Sequence, residues 1–224
     1  MVSIRASIDR DRAITIRRRR LLAAQDIRER YESGAGPQSS GEFLVTLADR
    51  LIDRMAPVLD DLAERLDDLE EQVLVGSGPD VRANLAAFRR QTIALRRHIA
   101  PQRDVTIRLV SEPPPWMSDS DRARLRETAD HLTRYVEDLD ALRERGAVTQ
   151  EELTVRLADR MNRTMYVLSL VATVFLPLGF LTGLLGVNLG GIPGTDNQLA
   201  FFVLCAILAV IAGVELLFFE IRLS

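Results

Sequence analysis

Residues 164–195 read TMYVLSLVATVFLPLGFLTGLLGVNLGGIPGT, thirty-two positions without one charged side chain. A second apolar run, Leu199 to Phe219, follows almost at once and is interrupted by a single charge, Glu215. Residues 1–163 are the opposite, holding 28 of the 29 arginines and 29 of the 32 acids. A bilayer core of about 30 Å takes roughly 20 apolar helical residues. Met165–Val187 and Leu199–Phe219 both meet that length, so the sequence predicts a polar body on a two-span membrane anchor. Arg156, Arg160 and Arg163 precede the first run and Arg222 follows the second, while the loop Asn188–Gln198 has no arginine and one acid, Asp196. Positive charge marks the cytoplasmic side. Both termini are therefore expected in the cytoplasm of an inner (plasma) membrane, with the short loop outside.

Composition narrows the function classes further. The body carries a net −1, without the basic footprint that nucleic-acid binding needs. One cysteine, Cys205, rules out an intrachain disulfide or a thiolate cluster. His98 and His131 have no partner at metal-ligand spacing, and no Ser/His/Asp, Cys/His or phosphate-cradling glycine pattern argues for an enzyme. The chain has no lysine at all, which reads as a genomic base-composition bias.

The body reads as a strand pair followed by helices. Val2, Ile4, Ala6 and Ile8 alternate with polar residues, and Ile14 and Ile16 resume the alternation beyond Asp9–Arg12, the pattern of an antiparallel hairpin. Gly34–Gly41 is a linker by composition. Leu44, Leu47, Leu51, Met55, Val58, Leu62, Leu66, Leu69 and Val73 then form one stripe at spacings of 3 and 4, which predicts a long helix that Pro57 kinks. A turn at Gly76–Pro79 leads to a second helix running from Val81 toward Val110 with a bend at Pro101, and the two form an antiparallel hairpin. Pro113–Pro115 stop it. From a cap at Ser118 or Asp119, a third stripe runs through Leu125, Leu132, Leu139 and Leu142 to Met161 and enters the first span without a linker. One helix from Ser118 to Val187 would be about 100 Å long. A helix of that length needs neighbours to bury its stripe, and self-association supplies them.

Met165, Leu168, Ala172, Leu176, Gly179 and Gly183 share one face of the first span. Small residues there, including the Gly179-xxx-Gly183 pair, suit close helix packing. A pore wall uses the same face. The acidic run Asp60–Glu71 reads as the solvated side of its helix. Glu215, about a turn from the end of its span, can snorkel to the interface.

Met161-Asn162-Arg163-Thr164-Met165-Tyr166, the Phe175-Leu176-Pro177-Leu178 segment and Gly183-Leu184-Leu185-Gly186-Val187-Asn188 resemble the first span of CorA-type divalent-cation transporters. Members of that family carry Gly-Met-Asn where this chain has Gly186-Val187-Asn188. The loop Leu189-Gly190-Gly191-Ile192-Pro193-Gly194 resembles the ZntB-like zinc branch, and where magnesium-type relatives carry a loop glutamate this loop offers only Asp196. The resemblance implies a homopentamer in the lipid membrane, its pore lined by the first span and its selectivity set by Gly186, Val187 and Asn188. Five Asn188 amides would hold a hydrated divalent ion, zinc or magnesium, as transported cargo, with no resident cofactor and no direct-ligand metal site. The implied layout is 1–33, the end of a cytoplasmic α/β domain that reads as shortened at its N-terminus; 42–163, a cytoplasmic helical hairpin and stalk; 164–187, a span; 188–198, the external loop; and 199–219, the second span. The fold class is mainly α. Zinc transport is the leading expectation, magnesium or cobalt/nickel transport the alternative, and a non-conducting membrane-anchored helical scaffold the second.

Overall fold

The computed structural model describes residues 4–17, 20–75, 80–186 and 199–223. Two strands and six helices follow in order: β1 (Ile4–Ile8), β2 (Ala13–Arg17), α1 (Leu22–Glu32), α2 (Ser40–Asp53), α3 (Ala56–Val75), α4 (Asp80–Ser111), α5 (Asp119–Leu185) and α6 (Ala200–Leu223). By internal contacts the chain divides into two units, residues 1–153 and residues 154–224.

In the first unit β1 and β2 pair antiparallel from Ile4↔Arg17 to Ile8↔Ala13. The alternation therefore separates two faces. Ile4 packs with Ala23, Ile27 and Leu47 of α1 and α2, whereas Ile14 and Ile16 point away and are 50% and 66% exposed. Of the Arg17–Arg20 run, Arg17 closes β2 and donates to the Leu21 carbonyl at 3.1 Å, and Arg20 donates to Gln25 at 2.9 Å. Val2, Arg18 and Arg19 lie outside the described residues.

The segment expected as a linker is held down. The Tyr31 hydroxyl donates to the Pro37 carbonyl at 2.9 Å, and Gly36 and Pro37 are buried. Gly34 adopts a φ of 77°, a left-handed conformation natural to glycine, and turns the chain out of α1. Ser39 caps α2 by accepting from the Glu42 N–H at 3.0 Å, while Glu42 accepts from the Gln38 N–H at 2.7 Å.

The single long helix expected from Leu44 to Val73 is instead two. α2 ends at Asp53 and α3 starts at Ala56, with the Met55 N–H turned to the Ile52 carbonyl at 2.8 Å. Pro57 does not kink a helix. It sits in the first turn of α3, where its missing N–H costs nothing.

α3, α4 and the first half of α5 bury one core. Leu62, Leu66, Leu85, Phe88 and Leu139 are at most 1% exposed, and Ile99, Leu132, Val136 and Leu142 join them. α5 begins at a capping box: Ser118 Oγ accepts from the Asp121 N–H at 3.1 Å, and Asp121 Oδ2 accepts from the Ser118 hydroxyl at 2.7 Å. Gly146 is the one glycine in the stalk stripe because Phe88 lies over it. A Cβ there would come within 3.0 Å of Phe88 Cε1. Beyond Thr149 the stripe surfaces, with Leu157 and Met161 46% and 65% exposed.

Ion pairs fix the registers between these helices. Arg96 makes two hydrogen bonds to Asp140, at 2.6 and 2.9 Å, and Arg145 bridges Asp67 and Glu70, each at 2.7 Å. The hydrogen bond from Arg96 holds the Asp140 carboxyl below the ordinary aspartate range, against a smaller opposing effect of burial. A depressed carboxyl stabilises the fold fully above the unfolded value of about 3.9 and loses that contribution as pH falls through the folded one. Acid titration followed by circular dichroism is therefore expected to unfold an Asp140→Asn variant with a shallower pH dependence below about pH 4.

Candidate functional site: the exposed face of the apolar helix

α5 runs 67 residues from the stalk into the apolar stretch without interruption. Its apolar part is long enough to cross a membrane, with a mean hydropathy of 2.1 over its best window and none of that window buried. Among the described residues the apolar stretch of α6 is Phe201–Glu215.

Within the second unit each helix has a half-buried side. On α5 it follows Tyr166, Leu170, Val174, Pro177, Leu178 and Leu181; on α6 it follows Leu204, Leu208, Ile211, Ala212 and Glu215. At about 100° per residue, Met165, Leu168, Ala172, Leu176, Gly179 and Gly183 fall on the side of α5 opposite its half-buried one. All six are exposed, Met165, Leu168 and Leu176 by 59%, 68% and 74%. A Cβ added at Gly179 or Gly183 would meet nothing within 4 Å. Packing among the described residues therefore does not require either glycine.

The Thr182 hydroxyl is turned to the backbone. Thr182 donates to the Leu178 carbonyl at 2.8 Å and to that of Gly179 at 3.1 Å. Pro177 has no N–H, so the Thr173 carbonyl loses its usual helical donor. Gly186 closes the helix through its N–H to the Thr182 carbonyl at 2.9 Å. Val187, Asn188, Gly190, Gly191, Pro193 and Asp196 lie outside the described residues. The structure thus describes the six positions of this exposed face and Gly186.

Glu215 departs from expectation. One of its carboxylate oxygens, Oε2, is buried and has no hydrogen-bond partner among the described residues. A snorkelling side chain would carry both oxygens to the interface, and this one turns inward. Cys205 is a free, exposed thiol. His98 is exposed and His131 stands edge-on to Tyr135 with ring centroids 6.5 Å apart. No group of three or more His, Cys, Asp or Glu side chains is arranged to hold a metal among the described residues. Periodicity gives no sign of a cleft of about 500 Å³ in the first unit, lined by Asp49, Arg50, Arg124, Glu127, His131 and Tyr135 among others. Arg124 and Thr128 both bind Asp49 there, at 2.9 and 2.7 Å. Burial, and then the charges of Asp53 and Asp60, push the Tyr135 hydroxyl above its ordinary range.

The family model described as CorA-like Mg2+ transporter protein matches residues 1–222. This chain belongs to that family. The zinc transport protein ZntB of Pectobacterium atrosepticum is 46% identical over 213 residues, which is 95% of this chain and 65% of that protein. ZntB of Yersinia enterocolitica is 43% identical over 94% of this chain and 64% of its own length. The chain thus spans just under two-thirds of the curated relatives it matches. The structure of the full-length CmaX protein superposes with a TM-score of 0.82 at 39% identity, over 98% of this chain and 68% of that one. The CorA magnesium transporter of Methanocaldococcus jannaschii gives 0.79 over 98% of this chain and 78% of that one; at 17% identity it speaks for the fold alone. The mainly α fold, with its hairpin, stalk and long apolar helix, is the fold of this family.

Proposed function

We propose that this chain carries divalent cations, zinc foremost, across a membrane through a pore that five copies build around the exposed face of α5. The observation that carries this reading is that face itself. Six positions, two of them glycines where a Cβ would meet nothing within 4 Å among the described residues, lie opposite the side that is half-buried. A second copy gives such a face something to meet. α6 serves as an outer second span, and the arginines at 156, 160, 163 and 222 keep both ends on the cytoplasmic side of the inner membrane.

The chemistry of the wall limits how it selects. Met165, Leu168, Ala172, Leu176, Gly179 and Gly183 offer no imidazole, thiolate or carboxylate. Zinc binds those groups directly, so this wall passes the ion with most of its water in place. Gly186, Val187 and Asn188 form the outer mouth, where the Asn188 amide presents an acceptor and two donors without net charge. Such a ring holds a hydrated ion weakly enough to release it, as conduction requires. Gly190, Gly191, Pro193 and Asp196 shape the external loop, and no resident cofactor takes part.

Zinc is favoured over magnesium by the relatives 43–46% identical, which are zinc transport proteins. Magnesium is the second reading, supported by the description of the matching family. Uptake into proteoliposomes decides between them. Zinc entry is expected to persist in a large excess of magnesium; full suppression, together with strong magnesium entry alone, assigns the chain to magnesium. Assembly without flux of either ion leaves the helical scaffold.

A further inference from the structure

The helical hairpin separates charge by helix. α3 contains seven acids and one arginine, and α4 contains seven arginines and two acids. On α3 the exposed side away from Leu59, Leu62, Leu66 and Leu69 carries Asp60, Glu64, Asp68 and Glu71. On α4 the exposed residues away from Leu85, Phe88 and Ile99 include Arg82, Arg90, Arg97 and Arg108, with Arg90, Arg97 and Arg108 on one strip. Among the described residues none of these eight has an ion pair or a side-chain hydrogen bond. Other charges of the same two helices are engaged: Asp67 and Glu70 with Arg145, Arg96 with Asp140, Arg103 with Asp104.

We infer that the acidic stripe of α3 in one copy docks on the arginine stripe of α4 in the next, closing the ring at the level of the hairpin. Two features argue for a second copy as the occupant. The stripes are of opposite sign and lie on different helices, turned away from a shared core. They therefore occupy different flanks of one copy, as a head-to-tail contact around a rotation axis requires. The stripes also match in height. Arg65 donates to Gln91 across the hairpin at 2.9 Å, which makes these two positions one rung. Counting from that rung in opposite directions at 1.5 Å per residue brings Asp60 level with Arg97 to within a residue or so. Glu64 and Asp68 then straddle Arg90, and Glu71 lies about one turn from Arg82. Copies related by an axis along the hairpin meet without a shift in height, so like levels face each other. An unrelated partner has no reason to match this spacing.

Each exposed pair contributes little alone and is screened by salt. The contact therefore sets the order and orientation of neighbours more than their affinity. It rests on the ring proposed above, and the test separates the two. In a Cys205→Ala background, two differently tagged full-length chains are co-expressed, one with Glu64→Cys and the other with Arg90→Cys, and treated with a short thiol cross-linker in membranes. The expected result is a mixed-tag dimer several-fold stronger than that from Glu64→Cys with Glu64→Cys, weakening as salt rises. An oligomer by mass measurement with no excess of the mixed dimer, or with either cysteine linked to another protein, overturns the docking and leaves the ring. A monomer overturns both. The triple reversal of Asp60, Glu64 and Asp68 to arginine is expected to abolish the salt-sensitive part of oligomer stability. Reversing Arg82, Arg90 and Arg97 to glutamate in the same chain is expected to restore it, and failure to restore it overturns the pairing.

Discussion

Alanine at position 146 is expected to destabilise the native bundle and to stabilise a bundle that already carries Phe88→Ala. Phe88 is fully buried between the helical hairpin and the stalk. Removing its ring alone costs about 3–5 kcal/mol through lost burial and the cavity left behind. In the native chain a Cβ at 146 would sit 3.0 Å from Phe88 Cε1 and 3.4 Å from Cδ1, so the ring must shift in a packed core. Overpacking of that kind costs about 1–3 kcal/mol, more than the roughly 1 kcal/mol that alanine gains over glycine inside a helix. With the ring gone the clash is gone, and the helical preference remains. The single and double variants, unfolded by heat or denaturant and followed by circular dichroism, therefore give a non-zero coupling, with Gly146→Ala changing sign between the two backgrounds. Additive values would show that the ring does not rest on Gly146.

The same contact shows what the sequence could and could not reveal. The stalk was legible because three signals coincide: the stop at Pro113–Pro115, a cap at Ser118 or Asp119, and a stripe whose spacing does not change where the residues turn apolar. The hairpin strands were legible from their period of two. The break at Arg54–Met55 was not, because Leu51, Met55 and Val58 keep helical spacing across it and only backbone hydrogen bonding reveals the turn. α1 announces itself poorly, with Ala23 and Ile27 its only buried residues. Why position 146 holds a glycine follows only from the register, which places Phe88 over it. Arg96–Asp140 and Arg145–Glu70 join residues 44 and 75 positions apart, and such pairs follow from packing angles that no local pattern encodes. For the site the balance reverses. The six positions on one face of α5 follow from spacing alone. Which side of the helix is partly covered, and therefore which side is free, needed the second helix in place.

Replacing Asn188 with alanine is expected to cut divalent-cation flux by at least about tenfold while leaving assembly intact. In the proposed ring each copy gives one amide to the outer mouth, and an amide meets the water shell of an ion with an acceptor and two donors. Alanine removes every one of these at once. At about 1 kcal/mol for a typical hydrogen bond, losing even two of five contacts exceeds the 1.4 kcal/mol that equals a factor of ten. Nothing else described near that level compensates, since Gly183 lacks a side chain and the Thr182 hydroxyl is committed to the Leu178 and Gly179 carbonyls. Val171→Ala, exposed but off the wall face, is the matched control and is expected to conduct normally. Asn188→Asp tests the sign of the effect. Five carboxylates would concentrate cations at the mouth but hold them more strongly, so flux at low ion concentration is expected to rise and maximal flux to fall. Dye-reported uptake into liposomes measures all three variants. Unchanged flux in Asn188→Ala removes the amide ring from the mechanism and moves selection down to the apolar wall, where exclusion by size and hydration is all that Met165, Leu168 and Leu176 could provide.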